Sequence, residues 1–417
     1  MKNFMTQFLL IVAFMLSVVM TYAQWQPLTS GTTETLLDIH FLNPSYGAVV
    51  GTGGTVLLTD DGGDSWINVG TINQDLGSVR VLGVDTILVA GQNTFDGAVF
   101  LTTNGGLDWT LVTDGARLDE TSNGVFALAY GGIQSSADQG AQWQDQGLDL
   151  GGTLLMEQLS FADDDFGLIA GNVSGFIGYS TYGFFSDDGG NTWLEWYVFD
   201  FPNTNAWTHA AFAGPDTVYL FTNQYEHFVP GDTNRVVRMT DFFRETMDGY
   251  DVWRFYAEVV NSFLPNYVVD AHFFDGQLGY ATSLDGNILK TLDGGATWTS
   301  DYLTTDSLRS IYAWSEDLMF AAGSNGQILR LGQVNQTKNA SVLDMTLFPN
   351  PTTGALTLQG VSEDRGQLLI FNALGELIQT QIWQHETIQM DQLPAGIYQL
   401  MLQTSTHRYT GKIVKLD

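Results

Sequence analysis

The chain has 417 residues, with 46 acidic and 15 basic side chains and a formal charge of −31. A charge this negative argues against nucleic acid and anionic membrane surfaces as partners. Because the chain contains no cysteine, disulfides, thiolate metal sites and a cysteine nucleophile are excluded. Its 46 glycines and 9 prolines favour many tight turns over long helices.

Residues 1–23 have the features of a secretory signal peptide. Lys2 is the only charged residue, and the apolar run Phe8 to Met20 is too short to span a bilayer. Small residues at Thr21 and Ala23 predict cleavage between Ala23 and Gln24. No later stretch is apolar enough to cross a membrane, so we expect no transmembrane segment in the mature chain.

An octet of the pattern Ser/Thr-x-Asp-x-Gly-x-Ser/Thr-Trp recurs along the chain. Its copies span residues 59–66, 102–109, 136–143, 186–193, 246–253 and 291–298, and the copies at 59, 186 and 291 are complete. Asp accepts hydrogen bonds from turn N–H groups, Gly permits positive φ, and Trp fills space between strands. We therefore assign a structural turn role to Asp61, Gly63, Trp66, Asn104, Trp109, Asp138, Trp143, Asp188, Gly190, Trp193, Asp248, Trp253, Asp293, Gly295 and Trp298.

Short predicted strands surround each octet. Leu36 to Phe41, Tyr46 to Gly51 and Gly54 to Thr59 precede the first copy, and a further strand starts at Trp66. A four-strand unit that recurs every 40–50 residues is typical of the blades of a β-propeller. The octet itself resembles the Asp-box (BNR) repeat, a family whose repeats form such propellers.

The last repeat lacks its fourth strand. Three strands end near Leu331 with no octet after them, whereas Trp25 to Ser30 resembles the segment that follows an octet Trp. The mature N-terminus is therefore predicted to complete the last blade and close the ring, which removes exposed sheet edges. We predict an all-β chain with a seven-bladed propeller at residues 24–333; six or eight blades also fit the uneven repeat lengths.

Among Asp-box proteins, the layout of residues 25–333 is similar to that of photosystem II assembly-factor-type propellers. The blades share a Phe-x-Asp/Asn turn that ends in Gly, here Phe41 to Gly47 and Phe161 to Gly167. This resemblance implies a role as an envelope assembly factor, although the family's partner-binding residues are expected to be basic and this propeller has few basic residues.

The C-terminal part follows another pattern. After the linker and start of the sorting module at 334–346, Phe348 to Gly354, Asn372 to Gly375 and Leu393 to Tyr398 place turn residues between alternating strands, which favours a small Ig-like β-sandwich at 347–417. The order of these motifs resembles the type A C-terminal sorting domain of the type IX secretion system. The resemblance implies that this machinery is a partner, and that the protein passes through the periplasm to be secreted or placed on the outer surface of a Bacteroidetes-type cell.

No catalytic residues stand out from the sequence, and we predict no cofactor and no metal. A carbohydrate-active enzyme, a glycoside hydrolase or lyase, is an alternative, but the abundant acidic residues hide any catalytic pair. His40 and His272 occupy the same inner-strand position and could hold a metal. Duplication of the repeat explains that match better than a metal site does, and Asp163 to Asp165 fits a solvated turn better than a calcium loop.

Aromatic residues are concentrated in and around three insertions of the fourth and fifth blades. Rings beside acidic and amide groups suit a glycan or a protein partner, while a packing role within enlarged blades is equally compatible. We therefore predict a non-catalytic binding or scaffold module that contacts a glycan or a surface protein. Its candidate ligand-binding residues are Tyr179, Tyr182, Trp196, Tyr197, Tyr225 and Phe228.

Overall fold

The protein is seen as a computed structural model that describes residues 24–93, 96–148, 154–175, 178–196, 206–223, 235–247, 250–261, 267–332, 342–361, 366–372, 377–383, 387–403 and 408–416. Its regular structure in these ranges is β-strand, with two short 3-10 turns at Thr52–Gly54 and Ser324–Gly326. Within the same ranges, no helix has the length and hydropathy needed to cross a membrane.

The described residues of the propeller part form twenty-eight strands. In chain order they are β1 (Trp25–Leu28), β2 (Leu36–Phe41), β3 (Gly47–Gly51), β4 (Thr55–Thr59), β5 (Ile67–Thr71), β6 (Leu76–Val81), β7 (Ile87–Gly91), β8 (Ala98–Thr102), β9 (Thr110–Asp114), β10 (Arg117–Thr121), β11 (Gly124–Ala129), β12 (Gly132–Ser136), β13 (Gln144–Asp145), β14 (Leu154–Phe161), β15 (Gly167–Gly175), β16 (Gly178–Ser186), β17 (Leu194–Glu195), β18 (Ala206–Phe212), β19 (Thr217–Asn223), β20 (Arg235–Met247), β21 (Tyr250–Asn261), β22 (Val268–Phe273), β23 (Gly279–Ser283), β24 (Asn287–Thr291), β25 (Thr299–Leu303), β26 (Leu308–Ser315), β27 (Leu318–Gly323) and β28 (Ile328–Leu331).

These strands form seven four-stranded antiparallel sheets. Blades one to six are β2–β5, β6–β9, β10–β13, β14–β17, β18–β21 and β22–β25, and blade seven is β26, β27, β28 and β1. Each first strand contacts the first strand of the next blade, and β26 contacts β2 in turn. The all-β propeller predicted from the sequence is confirmed, and the seven sheets agree with the predicted blade count.

The N-terminal strand completes blade seven. β1 pairs antiparallel with β28, with Trp25 opposite Leu331 and Leu28 opposite Ile328. Trp25 is buried, and its indole Nε1 donates a hydrogen bond to Asp301 Oδ2 at 2.9 Å. The first and the last strand of the propeller therefore pair and close the ring. The absence of an octet after the last repeat predicted this closure.

Apolar side chains fill the space between adjacent blades. The second strands β3, β7, β23 and β27 are buried along their whole length, because both of their faces are covered by neighbouring blades. At the junction of blades one and seven, the rings of Phe41 and Phe320 stack with centroids 3.9 Å apart. Each such buried side chain contributes about 1.5–3 kcal/mol to folding.

The C-terminal part forms two further sheets. Its strands are β29 (Val342–Asp344), β30 (Thr346–Phe348), β31 (Ala355–Gln359), β32 (Gly366–Phe371), β33 (Leu377–Trp383), β34 (Ile388–Gln389), β35 (Gly396–Gln403) and β36 (Arg408–Lys415). One sheet has the order β29-β36-β35-β32-β33 and the other β30-β31-β34. Side chains of both sheets, including Leu356, Leu368 and Tyr409, form one core, which agrees with the predicted β-sandwich.

Candidate functional site

Five octets fold into the same turn between the third and fourth strands of a blade. In blade one, the Thr59 hydroxyl donates to Asp61 Oδ1 at 2.8 Å and accepts from the Gly63 N–H at 2.8 Å. Asp61 Oδ1 also accepts from the Ser65 N–H at 2.9 Å, and Gly63 has φ +89°. The same contacts occur in the octets that begin at Thr102, Ser136, Ser186 and Thr291.

The octet carboxylates are committed to these turns. Hydrogen bonds from the Thr297 side chain and backbone lower the pKa of Asp293 below its usual value, and the Gln142 N–H lowers the pKa of Asp138. A carboxylate already bound by backbone N–H groups has few acceptor sites left for a ligand. The octets are therefore structural parts of the blades.

The sixth octet of the sequence does not fold this way. Thr246 and Trp253 lie inside β20 and β21, which pair from Met247↔Tyr250 onward, while Asp248 lies outside the described residues. Thr240 holds the place of the octet hydroxyl, because it pairs with Thr217 as Thr59 pairs with Gly47. Blade five thus replaces the octet turn with a long hairpin.

A belt of polar contacts joins the first strands of all seven blades. In most of these contacts, a side chain of one blade accepts a hydrogen bond from the backbone N–H of the next blade. The contacts in ring order are Asp38 with Val79 (2.9 Å), Ser78 with Leu118 (3.2 Å), Asp119 with Phe161 (2.7 Å), Gln158 with Ala210 (2.7 Å), His209 with Asp270 (3.2 Å), Asp270 with Ile311 (2.8 Å) and Ser310 with Asp38 (3.3 Å).

Arg80 is the cation of the belt. Its guanidinium lies 3.0 Å from Asp119 Oδ1 and 3.5 Å from Asp38 Oδ2. Burial alone would lower the pKa of Arg80, but the carboxylates of Asp119 and Asp38 hold it above its usual value. Burial raises the pKa of Asp38, which Arg80 opposes, and it raises the pKa of Asp270 to about 6. These side chains link adjacent blades, and Arg80 forms ion pairs with the carboxylates that it contacts.

The predicted histidine pair lies beside this belt. His40 Nδ1 accepts from the Val81 N–H at 3.2 Å, so that nitrogen carries no proton, and burial together with Arg80 holds the pKa of His40 well below its usual value. Burial lowers the pKa of His272 to about 4. In the described part of the chain, no three His, Cys, Asp or Glu side chains are grouped so that they could hold a metal.

The predicted ligand-binding aromatics differ in their surroundings. Trp196 is 2% exposed and packs on Phe185 with ring centroids 5.2 Å apart, so it offers almost no surface to a ligand. Tyr182 is half-buried and meets Phe184 edge-on at 5.4 Å, and burial followed by its hydrogen bond with Glu195 raises its pKa. Tyr179 lies in β16. Tyr197, Tyr225 and Phe228 lie outside the described residues.

The two ends of the propeller differ. The octet end carries the octets and the turns between first and second strands. The opposite end, here the insertion end, carries the turns between second and third strands and the connections between blades. The predicted insertion at 172–182 lengthens the paired strands β15 and β16 at the insertion end. The other two continue from the strand ends at Glu195 and Asn223, and their residues 197–205 and 224–234 lie outside the described residues.

An open cleft of about 450 Å³ lies at the insertion end of blades two and three. Tyr130, which is 40% exposed, stands in it. The other lining residues are Asp96, Gly97, Asp114, Ala129, Gly131, Gly132, Gln134 and Asp145. No sequence motif predicted this cleft, because its residues come from four separate segments of the chain.

Two family models match the chain. The one described as photosynthesis system II assembly factor YCF48 matches residues 17–147, and the one described as secretion system C-terminal sorting domain matches residues 346–416. The photosystem II assembly lipoprotein Ycf48 of Synechococcus sp. (strain CC9902) is 26% identical over 143 residues. That match covers 31% of this chain and 42% of the relative, so it spans less than half of the relative's length.

Solved structures share the propeller fold. YCF48 bound to D1 peptide has 19% identity and a TM-score of 0.56, covering 75% of this chain and 98% of its own. YCF48 from Cyanidioschyzon merolae has 18% identity and a TM-score of 0.57, covering 74% and 99%. The GH74 enzyme of Niastella koreensis has 10% identity and a TM-score of 0.51, covering 93% and 80%.

At these identities the structural likeness shows the fold and leaves the activity open. The resemblance found in the sequence motifs is nevertheless confirmed by the two family models. The chain thus joins an Asp-box propeller that is similar to YCF48, with the family match over residues 17–147, to a C-terminal part that matches a secretion-system sorting domain over residues 346–416.

Proposed function

We propose that the protein is a non-catalytic binding module of the cell surface or extracellular medium, and that its insertion end binds a glycan. The sorting domain indicates export through a type IX secretion system. Export alone does not select a ligand, so the proposal depends on what the exported propeller presents to its surroundings.

The observation that carries the proposal is the cleft of blades two and three at the insertion end, where Tyr130 stands beside carboxylate and amide side chains. The strands of blades four and five that end at Gly175, Glu195 and Asn223 end on the same side of the propeller. Tyrosine rings give contact area at a small cost in conformational entropy, and nearby carboxylates and amides accept hydrogen bonds from sugar hydroxyls. This end therefore combines both kinds of group that a glycan requires.

The polar groups along the axis support a non-catalytic role. Asp38 and Asp119 each bind the backbone of the next blade and the guanidinium of Arg80. A glycosidase needs one carboxylic acid to give a proton and another carboxylate to attack or activate water. Carboxylates fixed by an arginine and by backbone N–H groups are poorly suited to either role.

A glycan array probed with the full chain tests the proposal. We expect retention of a defined set of glycans without release of reducing ends, and at least about tenfold weaker binding for Tyr130→Ala or Tyr225→Ala. Trp314→Ala is the matched control, since Trp314 is 44% exposed on β26, near the octet end. Equal loss with the control, or no retained glycan, would contradict the proposal.

A second candidate function is the binding of a polypeptide during assembly of an envelope complex. The structure of YCF48 bound to D1 peptide is the observation that favours it, because that protein shares the fold and holds a peptide. If the protein binds a polypeptide, we expect no glycan of the array to retain it and one envelope protein to co-purify with the wild type. Release of reducing ends from a polysaccharide panel would instead identify a carbohydrate-active enzyme.

A further inference from the structure

Blade five carries a hairpin extension, here called the aromatic ribbon, formed by residues 241–247 of β20 and 250–256 of β21. Third strands of the octet blades end at the hydroxyl residue that pairs with the start of the second strand. Thr240 holds that position in blade five, yet β20 continues to Met247. The strand register shifts between Thr240 and Phe243, and Asp241 has φ +55° there, so a bulge redirects the ribbon.

One face of the ribbon is packed on blade four. Trp253 is 5% exposed, and its indole Nε1 donates to the carbonyl oxygen of Phe185 at 3.2 Å. Trp253 and Trp196 also form a parallel bridge, and Phe242 meets Phe185 with ring centroids 4.9 Å apart. Arg244 pairs with Asp187 of the blade-four octet. These contacts fix the ribbon and leave its other face outward.

The outward face is aromatic. Side chains alternate between the two faces of a strand, so Phe243, Tyr250 and Tyr256 lie on the face opposite Trp253. Their exposed fractions are 53%, 76% and 61%. Arg254 and Glu245 form an ion pair at 3.2 Å on the same face and neutralise each other. Exposed apolar patches with a polar rim mark interaction surfaces in soluble proteins.

Charge indicates the kind of partner. Residues 241–256 hold 2 of the 10 basic residues of segment 24–340, together with 4 of its 39 acidic residues. The octet end from which the ribbon projects carries exposed carboxylates of all seven blades, namely Asp64, Asp85, Asp108, Asp138, Asp163, Asp164, Asp165, Asp187, Asp216, Asp275, Asp293, Glu316 and Asp317. Because Arg254 and Glu245 pair on the outward face, that face is an apolar patch without a charge excess of its own within an anionic surface.

We propose that the aromatic ribbon docks a protein partner whose contact surface is apolar at its centre and basic around it. Buried aromatic side chains supply most of the binding energy at such interfaces, and complementary charge speeds the encounter. A second copy of this chain fits poorly, because its own octet end would bring the same carboxylates into contact. This surface lies at the end opposite the glycan site proposed above and does not depend on that site.

Binding of a synthetic peptide that alternates Leu and Lys tests the proposal with the full chain. Fluorescence anisotropy should show binding that weakens with added salt, and a Leu-Glu peptide should not bind. The variant Phe243→Ser/Tyr250→Ser/Tyr256→Ser should bind the Leu-Lys peptide at least about tenfold more weakly. Leu292→Ser/Leu303→Ser is the matched control, because these blade-six side chains are 70% and 64% exposed, and its affinity should change less than about twofold.

Equal affinity of the triple variant and the wild type would overturn the proposal, because the charge of the protein alone would then explain the binding. A concentration-dependent dimer that the triple variant abolishes would overturn it in favour of a second copy. Circular dichroism and the melting midpoint of each variant are compared with the wild type. If the triple variant does not fold, Tyr250→Ser alone decides, since this side chain lies at the ribbon tip and is 76% exposed.

Discussion

Blades five and six treat the connection between third and fourth strands in opposite ways. In blade six, Thr291, Asp293 and Thr297 close a short turn whose polar groups bind one another. In blade five the same position opens into the aromatic ribbon, which packs Trp253 inward and exposes Tyr250. One position in the repeat can therefore stabilise the fold or present a new surface, depending on whether its side chains bind their own backbone.

Replacement of Trp253, the buried side chain that packs the ribbon on blade four, should have the largest effect on stability. Trp253→Ala leaves a cavity beside Phe185 and is expected to cost about 3–5 kcal/mol of folding free energy. Urea unfolding followed by tryptophan fluorescence measures the loss. Trp314→Ala, at a 44% exposed position, should cost far less. Similar stability of the two variants would mean that the ribbon is not part of the blade-four core.

The second largest effect on stability is expected at the hydroxyl residue that begins the octet, which is Thr291 in blade six and has its counterpart at Thr240 in blade five. Thr291 is buried and its Oγ1 accepts from the Gly295 N–H at 2.9 Å, so Thr291→Val leaves that N–H without a partner. We expect a loss of about 1–3 kcal/mol. Thr240→Val in blade five should cost less than about 0.5 kcal/mol. Thermal unfolding of the two variants provides the comparison, and equal losses would contradict the difference between the turns.

The octet carboxylate should give a pH dependence that the substitution Asp293→Asn reduces. Hydrogen bonds lower the folded-state pKa of Asp293 below its usual value of 3.8, so its stabilisation is present above that pH and is lost as the pH falls through the folded pKa. The drop in melting midpoint between pH 7 and pH 3 should therefore be smaller in Asp293→Asn. Asn104 already occupies this position in blade two. An unchanged drop would contradict the role of the charge.

The smallest effect on stability is expected at the tip of the ribbon. Tyr250 is 76% exposed, so Tyr250→Ser should change the free energy of unfolding by less than about 0.5 kcal/mol. Differential scanning calorimetry on the full chain checks this. A larger loss would show that the outward face is packed within the protein, and the ribbon would then be structural on both sides.

The sequence was sufficient for the features that local chemistry determines. The octets, the alternating strands and the incomplete last repeat predicted the propeller and the pairing of β1 with β28. The ribbon was missed because Thr246 to Trp253 matches several positions of the octet pattern. The position of the third strand is instead set by the pairing of Thr240 with Thr217 of β19, which lies outside that segment. The belt of polar contacts was missed because most of its partners are backbone N–H groups, which no residue type reveals.

Trp196 shows the limit of reading aromatic residues from sequence. Its place beside an insertion made it a ligand candidate, but the bridge to Trp253 of the next blade buries it. Exposure depends on contacts between segments more than fifty residues apart, and the sequence around Trp196 contains no sign of them. Tyr130 illustrates the converse, since an unremarked turn residue stands exposed in a cleft.

The pairing of Trp25 with Leu331 also sets how the propeller resists unfolding. The chain entropy of closing so long a loop opposes a contact between such distant residues. Once formed, it joins the first and the last strand of the propeller in one sheet, so neither strand can detach without breaking the hydrogen bonds between β1 and β28. In a chain without cysteine, this non-covalent pairing links distant parts of the chain, as a disulfide does in many exported proteins.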